Sequence, residues 1–320
     1  MHVSEICGRG RIAATEYVSP PNISQLSKQV MKSSRNILLL SLALAAIQQS
    51  VIQADFPQKL ANVEDNNINE SSGIAISYTL DNAVWIHNDS GDKARLYLVG
   101  FDGETKAVVD VKDADAHDWE DMCSFRIDGK SWLLIGDIGD NSKRRGDKDP
   151  DCRLHLIQEP NIKTLGSKLS VPIHATMKFK YEDGIWDCEG LAVDSERKEI
   201  LLLTKDLPHK CGLYVMPLDI HDAKQKLTAR RIASPYIPYA TALDISPSGH
   251  ILVVGTMLNA LAVKRTRAQS WEEAFRVAGT AFSLPPRKQG ETICFDRTGK
   301  WLFVNSEGAK QPLWRLPVPE

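Results

Sequence analysis

The chain has 320 residues, 42% of them hydrophobic and 25% charged, with a formal net charge of −2. That is room for one large domain or two ordinary ones, and the ordinary globular composition excludes wholesale disorder and a multi-span membrane protein. A near-neutral balance also excludes a nucleic-acid binder that relies on an overall positive field, so no nucleic-acid partner is expected.

The first feature in chain order is an uncharged apolar run of 11 residues, 37–47, behind Lys32 and Arg35 and ahead of the small exit residue Ala54. A basic region, a short apolar core and a small-residue exit predict a secretory signal peptide. Eleven residues are too few to cross ~30 Å of hydrocarbon as a helix, so no transmembrane anchor is expected after cleavage. Met31 reads as the start, which makes residues 1–30 an extension of the gene model, 31–54 the signal peptide and 55–320 a single mature domain. That domain is expected to be monomeric and either periplasmic or secreted. Its 266 residues carry a net charge of −5 and five cysteines: Cys123, Cys152, Cys188, Cys211 and Cys294. None has C-x-x-C spacing, which removes a zinc or thioredoxin-like reading and leaves room for two internal disulfides at most.

A repeat organises the mature chain. Short apolar segments open at Ser72, Glu120, Glu189, Thr241 and Glu291, separated by 48, 69, 52 and 50 positions. Each is followed by a turn signal, such as Asp128-Gly129 or Ser248-Gly249, and then by a strand-like run such as Ile200–Leu203 or Trp301–Val304. Repeats of ~40–50 residues built from short antiparallel strands predict an all-β fold, a β-propeller of five or six blades. The 69-residue interval holds either an insertion or part of a sixth blade near Val171–Tyr181. The one helix signal is at 270–277, with Ser270 as N-cap and Glu273 at the capping-box position.

In a propeller blade, the start of the innermost strand and the loop between the second and third strands lie on one face. The segment-opening residues therefore share a rim with Asp89, Asp137, Lys205, Thr256 and Ser306-Glu307. Two carboxylates ~6 Å apart repel by roughly 3 kcal/mol at an effective dielectric of about 20. Protonation, a basic partner or a bound cation relieves this, and oxygen-only ligands suit Ca²⁺ better than Zn²⁺. Glu120, Glu189, Glu291, Asp89 and Asp137 are thus the expected calcium ligands. The competing reading is that they cap turns and accept backbone N–H groups. Lys205 is the expected anion contact, with a small anionic ligand or a polymer surface as the partner. His117 and His87 stand beside the rim as candidate general acid or base. The basic stretch Lys143-Arg144-Arg145 reads as an exposed loop.

Asn88-Asp89-Ser90-Gly91-Asp92, Asp118-Trp119-Glu120-Asp121, Gly136-Asp137-Ile138-Gly139-Asp140-Asn141, Asp187-Cys188-Glu189-Gly190-Leu191 and Gln289-Gly290-Glu291 together resemble a group of exported bacterial β-propeller proteins. The chain is more distantly similar to the phytase-like and esterase-like propellers, whose blades open with comparable Glu-Gly-Leu elements. The likeness spans most of residues 70–318. It implies a calcium cluster at the channel mouth, with Glu120, Glu189, Glu291, Asp89 and Asp137 as ligands and Lys205 as a phosphate contact. The chain departs from the phytase pattern in having no second set of basic rim residues, and calcium-dependent lactonase propellers fit the same residues. Two functions follow. One is a calcium-dependent hydrolase of phosphoesters, esters or lactones, with Glu120, Glu189 or His117 as ligand or base; the other is a non-catalytic propeller that displays its rim to a partner.

Overall fold

In the computed structural model, the described residues are 56–89, 91–145, 151–162, 167–208 and 210–319. The apolar run at 37–47 and the segment 1–54 lie outside them. The chain enters the fold with β1 (Gln58–Asn62) and then builds four-stranded blades, two of which merge into one eight-stranded sheet where the outer strands of the second and third blades pair in parallel. The first blade is β2 (Ser71–Ile76), β3 (Ala83–Asn88), β4 (Arg95–Gly100) and β5 (Thr105–Lys112). The second opens with β6 (Trp119–Ile127), β7 (Lys130–Asp137) and β8 (Cys152–Gln158); β9 (Ser167–Pro172) then leaves it to pair in parallel with β5, and β10 (Ala175–Tyr181) returns as its outer strand. The third is β11 (Cys188–Asp194), β12 (Glu199–Thr204), β13 (Leu213–Pro217) and β14 (Lys224–Ala233). The fourth is β15 (Ala240–Ile245), β16 (Ile251–Thr256), β17 (Asn259–Lys264) and β18 (Thr280–Ser283). The last is β19 (Cys294–Phe295), β20 (Trp301–Val304) and β21 (Pro312–Pro317), and β1 supplies its outer strand.

These sheets form a five-bladed β-propeller. The innermost strands contact one another in a closed ring, β2 on β6, β6 on β11, β11 on β15, β15 on β19 and β19 back on β2. The 69-residue interval is therefore an insertion, taken up by β9 and its flanking loops, and no sixth blade forms. The Val171–Tyr181 stretch supplies the end of β9 and all of β10.

Local chemistry explains the pieces. The β6–β7 hairpin closes through Asp128 and Gly129, both at positive φ (53° and 73°), the backbone of a type I′ turn that Asp-Gly favours. The helix signal is real but short: α1 (Trp271–Ala274) has Ser270 as N-cap, and the reciprocal Ser270–Glu273 capping box is complete. Blade-to-blade packing is apolar. Leu, Ile and Val from facing sheets interdigitate with the buried rings of Trp85, Trp119, Trp132 and Trp271. The five cysteines Cys123, Cys152, Cys188, Cys211 and Cys294 are buried free thiols that act as small core hydrophobes. Among the described residues, no helix is long and apolar enough to cross a membrane.

Candidate functional site

A backbone irregularity recurs at the start of four innermost strands. The pairing register slips between Ser71 and Gly73, Trp119 and Met122, Cys188 and Gly190, and Ala240 and Ala242. Each slip is a β-bulge, an extra residue that bends the strand and re-aims a side chain. The slips bracket Ser72, Glu120, Glu189 and Thr241, four of the five residues that open the sequence repeat. The fifth, Glu291, precedes the short β19. The two hydroxyl members tie blades together: the Ser72 hydroxyl donates to the Glu120 carbonyl at 2.6 Å, and that of Thr241 to the Gly290 carbonyl at 3.0 Å.

The acidic members converge. Carboxylate oxygens of Glu120, Asp187 and Glu189 lie within 4.8 Å of one another, as do those of Asp89, Asp118 and Glu120. Glu120 belongs to both groups, so five carboxylates from three blades form one continuous cluster. Glu120, Asp187 and Glu189 are buried, while Asp89 and Asp118 are half-buried. The backbone of Gly139 closes against the cluster; a Cβ there would stand 2.2 Å from Glu120 Oε1 and 2.6 Å from Asp118 Oδ2.

The electrostatics follow from burial and crowding. Burial, then the charges of Glu189, Asp89, Asp118 and Asp187, push Glu120 well above the usual carboxylate range. Burial and neighbouring Asp89 raise Asp118 to about 7. Glu189 reaches about 8, raised by burial and by Asp187 even though Lys205 pulls it down. Lys205 Nζ donates to Glu189 Oε1 at 2.9 Å and also lies in the field of Glu291 and Glu120.

The remaining expected residues are placed apart from this cluster. Asp137 is fully buried and paired with Arg145 at 2.6 Å; it also accepts the backbone N–H of Asp118 at 3.1 Å. Arg145 is thereby drawn out of the basic loop into the interior, where its Nε donates to the Gly139 carbonyl at 2.9 Å. The loop is thus not wholly a solvated charge run. Glu291 accepts from Gln289 Nε2 at 3.1 Å and lies beside Glu307, whose carboxyl burial and the neighbouring Glu291 raise to about 9. His117 is exposed beside Asp118. His87 is buried edge-on to Trp119, its Nδ1 2.9 Å from the Asn88 carbonyl, and burial lowers it to about 4. It is a neutral core histidine.

Asp118 and Asp187 are site residues that sequence reasoning passed over. Their signal is nonetheless present, since each stands two positions before a repeat-opening glutamate, as Asp118-x-Glu120 and Asp187-x-Glu189. The carboxylates are all hard oxygen donors, and no histidine or cysteine joins them in either group. Such a set suits a cation of the calcium type.

No protein-family model matches the chain, and no curated protein matches it in sequence. Among solved structures, it is similar to a gluconolactonase from Xanthomonas campestris at 14% identity, over 82% of this chain and 89% of that one, with a TM-score of 0.45. A PQQ-bound aldose sugar dehydrogenase from Streptomyces coelicolor is similar at 9% identity, over 82% of this chain and 98% of that one, with the same TM-score of 0.45. A chain of a nidogen/laminin complex is similar at 11% identity, over 74% and 72%, with a TM-score of 0.42. Likenesses this distant assign no activity, and the five-bladed propeller rests on the strand order and ring closure of this chain itself.

Proposed function

We propose that the acidic channel mouth binds Ca²⁺ through Glu120, Asp187, Glu189 and Asp89, with Asp118 beside them, and that the chain hydrolyses a carboxylic ester or lactone there. The observation that carries this reading is the cluster itself. Five carboxylates share a partly buried space in which Lys205 contacts Glu189, and a divalent cation relieves their repulsion without leaving protons behind.

Bound there, the cation supplies a Lewis acid for the oxygen of the scissile carbonyl. The protein's own groups supply the rest. Glu120 and Glu189, aimed inward by their bulges, hold the site together across blades two and three. Asp118, which stands at the edge of the cluster beside Asp89 and Glu120, is the general base we assign. It is half-buried at the mouth, whereas His117 is exposed beside it. Lys205 restrains Glu189 and limits the negative field. The surplus of carboxylates repels a phosphoester dianion and leaves a neutral ester or lactone unopposed, which favours the latter as substrate.

Residues 31–54 are proposed as a cleaved export signal, on the uncharged apolar run 37–47 behind Lys32 and Arg35. Outside the cytoplasm, an affinity on the order of 0.1–1 mM suffices, the range of extracellular calcium modules.

The test is calorimetric titration of residues 55–320 with CaCl₂, alongside hydrolysis of δ-lactones, 4-nitrophenyl acetate and 4-nitrophenyl phosphate with chelator and with calcium restored. Binding is expected to disappear in Glu120→Gln and to weaken in Gly139→Ala, whose added methyl displaces the two carboxylates while the fold is retained. Ester or lactone turnover is expected to follow calcium. Calcium binding without turnover on any substrate would identify a non-catalytic propeller, and absence of binding at about 10 mM calcium would sink the site itself.

A further inference from the structure

The end of the channel opposite the acids contains a second concave feature. A cavity of about 430 Å³ opens there, in the size range of small-molecule sites. It is formed where the innermost strands end rather than where they begin, and every blade contributes: Tyr78, Arg126, Ser195, Ser248 and Arg297 from the first to the fifth, with Arg267 at the edge. A cavity lined by all five blades lies at a channel end rather than in a cleft between two loops.

Its charge has the sign opposite to that of the far mouth. Asp194 is buried and already engaged by Arg265 and by Trp271 Nε1 at 3.0 Å. Glu196 is engaged by Arg267 at 2.6 Å, and Asp81 by Arg297 at 2.5 Å. Arg297 is further fixed by the carbonyls of Ser77 at 2.6 Å and Leu80 at 2.7 Å, which hold its guanidinium at the cavity wall. Arg126 makes no ion pair and no side-chain hydrogen bond among the described residues, so one lining cation is left without an acid. The hydroxyls of Ser124 and Ser195 likewise make no hydrogen bond among the described residues. A forked guanidinium flanked by rotatable hydroxyls matches an oxyanion on a molecule that itself bears hydroxyls.

We infer that this mouth binds a small polyhydroxylated anion of about monosaccharide size, a sugar acid or a sugar phosphate, with Arg126 on the anionic group and Ser124 and Ser195 on the hydroxyls. The site shares no residue with the acidic cluster, so its binding is expected to need neither calcium nor those acids.

Isothermal titration of the purified chain with glucuronate, glucose 6-phosphate, inorganic phosphate and glucose tests this. At least one of the two sugar anions is expected to bind about tenfold or more tightly than glucose and than inorganic phosphate; which one distinguishes a carboxylate from a phosphate ligand. Arg126→Ala is expected to lower that affinity at least about tenfold, and Ser195→Ala a few-fold. Arg126 is exposed, so an unchanged melting temperature shows that the variant is folded. Glu120→Gln, at the other mouth, is expected to leave the affinity unchanged. The inference is overturned if neither sugar anion binds, if glucose or inorganic phosphate binds equally well, if Arg126→Ala binds like the parent, or if Glu120→Gln abolishes binding.

Discussion

The Asp121 carboxylate accepts the backbone N–H groups of Met122 and Leu191, both at 2.8 Å, and of Leu243 at 3.0 Å. It thus bonds to the innermost strands of three successive blades from the channel interior. Asp244 repeats the device toward the fifth blade, accepting from Ile245 at 2.8 Å and Phe295 at 2.7 Å. Burial raises both acids, Asp121 well above its ordinary range and Asp244 to about 7, while the N–H donors pull in the other direction. Asp121→Ala would strand three buried N–H groups and is expected to cost roughly 3–5 kcal/mol of stability in denaturant unfolding. Asp121→Asn keeps one acceptor oxygen, enough for the two cross-blade donors, and should cost about half as much. Equal melting of the alanine variant and the parent would show that these bonds do not hold the ring. Asp121 follows Glu120 directly in sequence, yet the two side chains have different tasks. One spans blades through backbone donors, and the other joins a cluster of acids.

Among elements, β1 and the bulges decide most. Gln58–Asn62 pairs with Leu313–Arg315 and Pro312, so the first strand of the fold completes the last blade. The ring is thereby closed by non-covalent pairing between residues about 250 apart, and its cooperativity depends on that strand. A chain beginning at residue 63 is expected to melt about 10 °C or more below one beginning at residue 55. A difference within experimental scatter would mean that the closure is dispensable. The strand was hard to foresee because Gln58-Lys59-Leu60-Ala61-Asn62 carries no strong apolar alternation; its pairing with β21 defines it. The bulges are equally invisible in one dimension. The repeat marked the positions of Glu120 and Glu189, but only the register against β7 and β12 shows that an extra residue turns them inward.

For the molecule as a whole, stability should carry an unusual pH signature. Burial holds the folded-state values of Asp244 and Asp118 at about 7 and of Glu189 at about 8, against ordinary values near 4. A carboxyl raised on folding keeps its full stability below its unfolded value and loses it as pH climbs toward the folded one. His87 works in the reverse direction: lowered by burial from 6.5 to about 4, it adds stability as pH rises from 4 to 6.5 and nothing further above that. Between pH 6.5 and 8 the acids act alone. In chelator, the melting temperature is expected to fall by several degrees across that window, less in Asp244→Asn, and calcium should flatten the slope by favouring the ionised cluster. A profile that is flat or rising in chelator would contradict the buried acidic cluster.

The amino-acid order alone determined the repeat, the all-β blade pattern and the clustering of acids at repeat-opening positions. Those are local properties of apolar runs, turn residues and spacing, and they are readable wherever a strand contrasts with its flanking loops. Tertiary structure alone decided that there are five blades and not six, because β9 is captured by the first blade through parallel pairing with β5. It also decided which acids meet. Asp118 and Asp187 join Glu120 and Glu189, whereas Asp137 is claimed by Arg145 and Glu291 by Glu307. The physical reason is that a carboxylate's partners are set over a few ångströms in space, by strand register and by cations such as Arg145 brought in from a distant loop. Sequence position fixes neither.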